Sequence, residues 1–366
     1  MVLMFSSTFL TSFSAISSVT VDLPRWNNIK LGEKLSFRGS AVLEDSLWVT
    51  GSNNSIFVSQ DAGSTWVNKS IPLSVTEGES LDIRDIALFT HDTAIVMSVG
   101  SGKKSALYKT LDGGNNWHKL YENRDEQGFY NSIAFWDENN GLIFGDPVDG
   151  YFVIQATKDA GKTWSRISKD QLPKIQLNEA AFAASGNTLI TGNNGKAWFT
   201  TGGFSASVYQ SLDYGNTWKR TPAPLYNNKS TAGGYALALN HKEQLFVVGG
   251  DYQNRSGDYQ NIARLIDGEW KTVEPAQLGL RTAMTCQGNI CVTTGKKYCD
   301  ISFNAGSIWA KLCNNGMNLS NCGFYTLASD NMMFLAAGHD GQVGVLSFQL
   351  KKKNERNDNP SRFRKK

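Results

Sequence analysis

One eight-residue pattern recurs along this chain and constrains its fold more than any other feature. Ser59-Gln-Asp61-Ala-Gly63-Ser-Thr65-Trp66 returns as Thr110-Leu-Asp112-Gly-Gly114-Asn-Asn116-Trp117. It returns again as Thr157-Lys-Asp159-Ala-Gly161-Lys-Thr163-Trp164 and as Ser211-Leu-Asp213-Tyr-Gly215-Asn-Thr217-Trp218. Ser302-Phe-Asn304-Ala-Gly306-Ser-Ile308-Trp309 is a reduced copy, and Leu265-Ile-Asp267-Gly268-Glu-Trp270 a more reduced one. Self-similarity at a spacing of some fifty residues marks an array of supersecondary units.

The residue types explain what such a unit needs. The aspartate carboxylate accepts backbone N–H groups inside a hairpin loop, as in an Asx turn. The glycine supplies a positive φ. The tryptophan opens the next strand and buries a large ring between units. This is the Asp-box pattern, S/T-x-D-x-G-x-T-W. A catalytic role for Asp61, Asp112, Asp159, Asp213 and Asn304 fails on their number, because equivalent copies cannot share one active site. They are expected to be structural.

Successive box aspartates lie 51, 47 and 54 residues apart, room for a four-stranded blade each. Period-two alternation places strands before the first box at Phe37–Val42, Ser46–Val49 and Ser55–Ser59. The second unit repeats them at Ile83–Phe89, Ala94–Val99 and Ala106–Lys109. Glycine and tryptophan are abundant, at 35 and 10 residues, as in closed all-β folds of short strands. The expected architecture is an all-β, seven-bladed β-propeller. Its blades open near Phe37, Ile83, Tyr130, Asn178, Tyr235, Arg281 and Tyr325. The last lacks a box and an outer strand. A strand at Trp26–Ile29, which resembles the strand after the first box, is expected to complete it and close the ring. Six blades is the alternative, since the fifth and sixth boxes are weak.

Residues 1–18 form an apolar, hydroxyl-rich run ending in Ala15-Ile16-Ser17, read as a signal peptide, although no Lys or Arg precedes the run. The propeller is expected over 19–350 and a basic tail over 351–366. The tail carries a net charge of +6 in a chain of +3, leaving the body slightly acidic. The body therefore has no nucleic-acid footprint, and no later segment is apolar enough to span a bilayer. Export to the periplasm or the medium fits the five cysteines, Cys286, Cys291, Cys299, Cys313 and Cys322. Cys286 and Cys291 flank a short turn and suit a local clip, but the full connectivity is open. Zinc is disfavoured by the absence of a CxxC pair or a nearby histidine. His91, His118, His241 and His339 are scattered and read as loop residues. No cofactor or metal is expected, and a monomer is.

Several segments between the boxes are similar to one known family. They include Ser36-Phe-Arg-Gly39, Leu81-Asp-Ile-Arg-Asp85, Ile133-Ala-Phe-Trp-Asp137 and Gly141-Leu-Ile-Phe-Gly-Asp-Pro-Val-Asp-Gly150. Glu179-Ala-Ala-Phe-Ala-Ala184, Gly249-Gly-Asp-Tyr252 and Gly338-His-Asp-Gly341 complete the set. With these, the chain resembles the photosystem II stability/assembly factor family, in particular its bacterial non-photosynthetic relatives. The resemblance covers nearly all of Trp26–Phe348. It implies a non-enzymatic scaffold that binds a protein partner; no photosystem partner is carried over.

Propeller ligands gather where the innermost strands converge. Aligned blade openings put Arg38, Arg84 and Arg281 at equivalent places, with Asn131, Asn178, Tyr235 and Tyr325 filling the ring, and Asp146 at its rim. Converging arginines suit a carboxylate or phosphate, hence an anionic small molecule or acidic peptide. The competing reading pairs them internally with Asp85, Asp146 and Glu179. An enzyme reading stands beside both. Sialidases share the Asp-box propeller and an arginine triad, and Phe37-Arg38 resembles the start of their F/Y-R-I-P motif, although Gly39-Ser40 replaces Ile-Pro. Tyr325 would then be the nucleophile and Glu179 its base.

Overall fold

The computed structural model describes residues 24–312 and 322–348. The leader at 1–18, the basic tail at 351–366 and Cys313 lie outside them. Within them the chain forms seven antiparallel sheets of four strands each, arranged as the blades of a propeller. Blade 1 runs over Phe37–Leu43, Ser46–Gly51, Ile56–Ser59 and Val67–Asn68. Blades 2 to 6 open at Asp82, Tyr130, Leu189, Ala232 and Ala283. Blade 7 takes three strands from Phe324–Ser347 and its fourth from Asn27–Lys30, which pairs antiparallel with Gln342–Ser347. The amino-terminal strand thus closes the ring as expected, and seven blades is the count.

The core is divided among the blade interfaces. Each interface holds its own apolar cluster: Trp48, Val58, Val96 and Trp117 between blades 1 and 2, for example, and Phe37, Val49, Leu335 and Val345 between blades 7 and 1. The second strand of a blade is buried on both faces, and in blade 2 it opens on the continuous apolar run Ala94–Met97.

The box loops fasten these interfaces. In the first, the Asp61 carboxylate accepts the Thr65 N–H at 2.8 Å and the Thr65 hydroxyl at 2.7 Å. The Ser59 hydroxyl donates to Asp61 and accepts the Gly63 N–H. The same pattern repeats around Asp112, Asp159 and Asp213, and Asn304 reproduces its backbone part. Gly215 has φ +78°, and a Cβ there would come within 2.7 Å of Leu142 in the preceding blade. The glycine is required both by its turn and by close approach of the neighbouring blade. The fifth copy differs from expectation. Asp267 and Gly268, both at positive φ, form a two-residue turn between Ile262–Ile266 and Glu269–Thr272, so no box loop remains there.

Blade 4 is the second departure. Its inner strand was expected to open near Asn178, but it spans only Leu189–Thr191. The preceding residues, Ala181–Thr188, instead cross the axial channel. The short 3-10 turn Gly186–Thr188 packs against the innermost strands of blades 1, 2, 3, 5 and 7. The Ser185 hydroxyl donates to Thr282 O. An alanine-rich run with a single large side chain, Phe182, is small enough to thread a channel lined by seven strands.

Candidate functional site

The innermost strands share a local irregularity that builds the site. In five blades the register of the first two strands shifts by one residue, a β-bulge. The shifts fall at Phe37/Gly39, Ile83/Asp85, Tyr130/Ser132, Gly234/Ala236 and Phe324/Thr326. The bulged residues are Arg38, Arg84, Asn131, Tyr235 and Tyr325. A bulge breaks alternation and re-aims its side chain. All five line one cavity of about 350 Å³ at the mouth of the channel, floored by Ala181–Ala184. Asp146 lines it too.

Two expected members are elsewhere. Asn178 sits exposed in a turn at φ +60°. Arg281 is fully buried, its guanidinium ion-paired with the equally buried Asp300 at 2.5 Å and donating to Gln277 O and Gly279 O. Glycine contacts reveal the reason. A Cβ on Gly51 would strike Ser36 O, and one on Gly295 would strike Leu280 O. Leu280 therefore matches Ser36, Arg281 matches buried Phe37, and Thr282 takes the place of Arg38. A slip of one residue moves a side chain to the opposite face. Thr282 lines the cavity; Arg281 does not.

The missing cation is supplied by loops. Arg255 and Lys296, between the second and third strands of blades 5 and 6, line the cavity. Their carbonyls accept from Leu280 and Gly323, but neither side chain makes a hydrogen bond or ion pair among the described residues. Only one sequence signal points to Arg255: it lies three residues beyond Gly249-Gly-Asp-Tyr252. Nothing in the sequence marks Lys296.

The arginines are partly satisfied from within. Arg84 is held by Asp82 at 2.7 Å and donates to Ala183 O at 2.7 Å. Arg38 lies 4.0 Å over the Tyr325 ring and donates to Ser36 and to Ala184 O, with no carboxylate partner among the described residues. Burial, and after it the charge of Arg84, pulls the Arg38 guanidinium below its ordinary pKa. The competing pairing of these arginines with Asp85, Asp146 and Glu179 does not form among the described residues. Asp146 accepts from Asn131 at 2.8 Å, and burial raises its pKa. Asp85 is buried below the floor and accepts from Ser132, Ile133 and Ile86; desolvation pushes it up to about 7.

Glu179 is consumed inside blade 4. Its oxygens accept from Thr201 at 2.5 Å, Tyr209 at 2.9 Å and the Gln176 N–H at 2.8 Å. It does not line the cavity, whereas Tyr325 does. No hydrogen bond joins the two, so the nucleophile–base pair of the hydrolase reading is not assembled. Of the histidines, His91 meets Glu44, and His241 and His339 bond carbonyl oxygens. His118 is exposed on an outer strand. Two disulfides are present, Cys286–Cys291 across a hairpin and Cys299–Cys322. Among the described residues, no helix is long and apolar enough to cross a membrane.

Seven antiparallel blades around a plugged channel, with a loop-rimmed cavity at one mouth, define a seven-bladed β-propeller with a cavity on its axis. Residues 74–192 match the family model described as photosynthesis system II assembly factor YCF48, and the chain resembles that family. Among solved structures, YCF48 bound to D1 peptide is similar at a TM-score of 0.64 and 15% identity, covering 90% of this chain and 100% of that one. YCF48 from Cyanidioschyzon merolae is similar at 0.63 and 13%, covering 88% and 99%. Virginiamycin B lyase from Staphylococcus aureus shares the fold at 0.59 and 13%, covering 89% and 100%. No curated protein sequence matches the chain significantly.

Proposed function

We propose that this protein is a non-enzymatic binding scaffold, of the assembly- or stability-factor kind, that holds an acidic segment of a protein partner at the cationic mouth. One observation carries the reading: Arg38, Arg255 and Lys296 line one cavity without a carboxylate partner of their own. Unpaired cations at a half-enclosed site favour an anionic occupant. The fold likeness to YCF48 bound to D1 peptide supports a protein segment as the occupant. The two disulfides suit an oxidising compartment, hence an exported protein, and a monomer suffices for the site.

Titration of the protein with a labelled acidic peptide, against a neutral peptide of the same length, tests this. The acidic peptide should bind, lose affinity as salt rises, and fail to bind Arg38→Gln/Lys296→Gln. Equal binding of both peptides, or binding untouched by that double change, would discard the reading.

A further inference from the structure

The loops of blades 4 and 5 beside the cationic mouth carry exposed apolar residues. Leu177 is 86% exposed, Phe204 52% and Tyr252 44%. They come from three loops on the mouth face of blades 4 and 5. The loops are interlocked: Gly203 lies against the Asn178 and Ala180 backbone, Phe204 N–H donates to Lys229 O, and Tyr252 N–H donates to Thr231 O. Rings continue from this ledge into the cavity. Tyr252 meets Phe182 edge-on at 6.4 Å, and Phe182 stacks on Tyr235 at 4.5 Å.

Phe204 is the telling residue. Its φ is +63°, a conformation that bulky side chains rarely adopt. Gly203 before it is also left-handed, and a Cβ there would come within 2.6 Å of Asn178 O. The loop is thus held in an unfavourable geometry that turns an aromatic ring to solvent. Strain kept for an exposed apolar group points to use rather than to folding.

We infer that this ledge is the second half of the partner site. It takes the large apolar side chains of the same segment whose acidic groups enter the mouth, an inference that rests on the reading above. Arg255 follows Tyr252 by three residues in the same loop, so acidic and apolar contacts adjoin. The occupant is therefore an extended protein segment carrying both acidic and aromatic or aliphatic residues.

Three peptides of equal length separate the possibilities by fluorescence anisotropy: acidic with serine, acidic with leucine and phenylalanine, and neutral with leucine and phenylalanine. The acidic apolar peptide should bind about tenfold tighter than the acidic polar one, as burial of one or two apolar side chains gives. Phe204→Gly should erase that difference while leaving Tm unchanged or raised, because glycine relieves the backbone. Equal affinity of the two acidic peptides, untouched by Phe204→Gly, would overturn the ledge and leave the mouth reading intact. Tight binding lost on Phe204→Gly but insensitive to Arg38→Gln/Lys296→Gln would keep the ledge and discard the mouth. Failure of the acidic apolar peptide to bind would remove both. Binding to phosphatidylglycerol vesicles instead, lost on Phe204→Gly, would overturn the peptide partner in favour of a lipid surface.

Discussion

The guanidinium of Arg38 rests 4.0 Å above the ring of Tyr325, and both residues occupy bulged positions of neighbouring blades. The ring fixes one face of the arginine while two of its nitrogens bond Ser36 and the channel floor. Tyr325→Leu should therefore weaken acidic-peptide binding about threefold, in line with a partly buried cation–π contact. Arg38→Ala should abolish it. Calorimetric titration of both variants checks the order.

Arg84 shares the mouth but is neutralised by Asp82. Asp82→Asn should free that charge and raise affinity for an acidic peptide severalfold, with a steeper salt dependence. An unchanged affinity would show that Arg84 does not face the ligand.

Arg281 has the opposite character. It and Asp300 are both fully buried, so removing one partner strands a charge. Arg281→Ala should destabilise the fold by about 3–5 kcal/mol, measured by urea unfolding. Any loss of peptide binding should follow the loss of folded protein.

Asp85 makes stability fall with rising pH. Its folded pKa of about 7 lies above the unfolded value of about 3.9. Its contribution is fully present below the lower value and is lost as pH rises through the upper one. The slope of unfolding free energy between about pH 4 and 7 should flatten in Asp85→Asn. Below about pH 4 the sign reverses, because the box carboxylates, Asp159 held down at about 2 by Thr163, lose their stabilisation on protonation.

The two disulfides should differ in worth. Cys299–Cys322 closes a 23-residue separation and Cys286–Cys291 one of 5. Loop-closure entropy gives about 3 kcal/mol for the first and about 2 kcal/mol for the second. Thermal unfolding of Cys299→Ser/Cys322→Ser should show the larger drop in Tm.

The propeller was legible in the residues themselves. Box, strand and glycine at each interval are local chemistry: a carboxylate satisfying its own loop, a left-handed glycine, and strands of period two. Even the closing strand at Trp26 could be matched to its equivalent after Trp66. Part of the cavity wall was legible too, as Arg38, Arg84, Asn131, Asp146, Tyr235 and Tyr325. Tertiary structure alone decided the rest. Whether Arg281 or Thr282 faces the axis depends on a one-residue register set by backbone pairing with the strand Ile290–Thr294. Whether Ala181–Ala184 is a strand or a plug depends on space left by six other blades. Arg255, Lys296 and Phe204 reach the mouth from loops far apart in sequence, and no periodicity records that meeting.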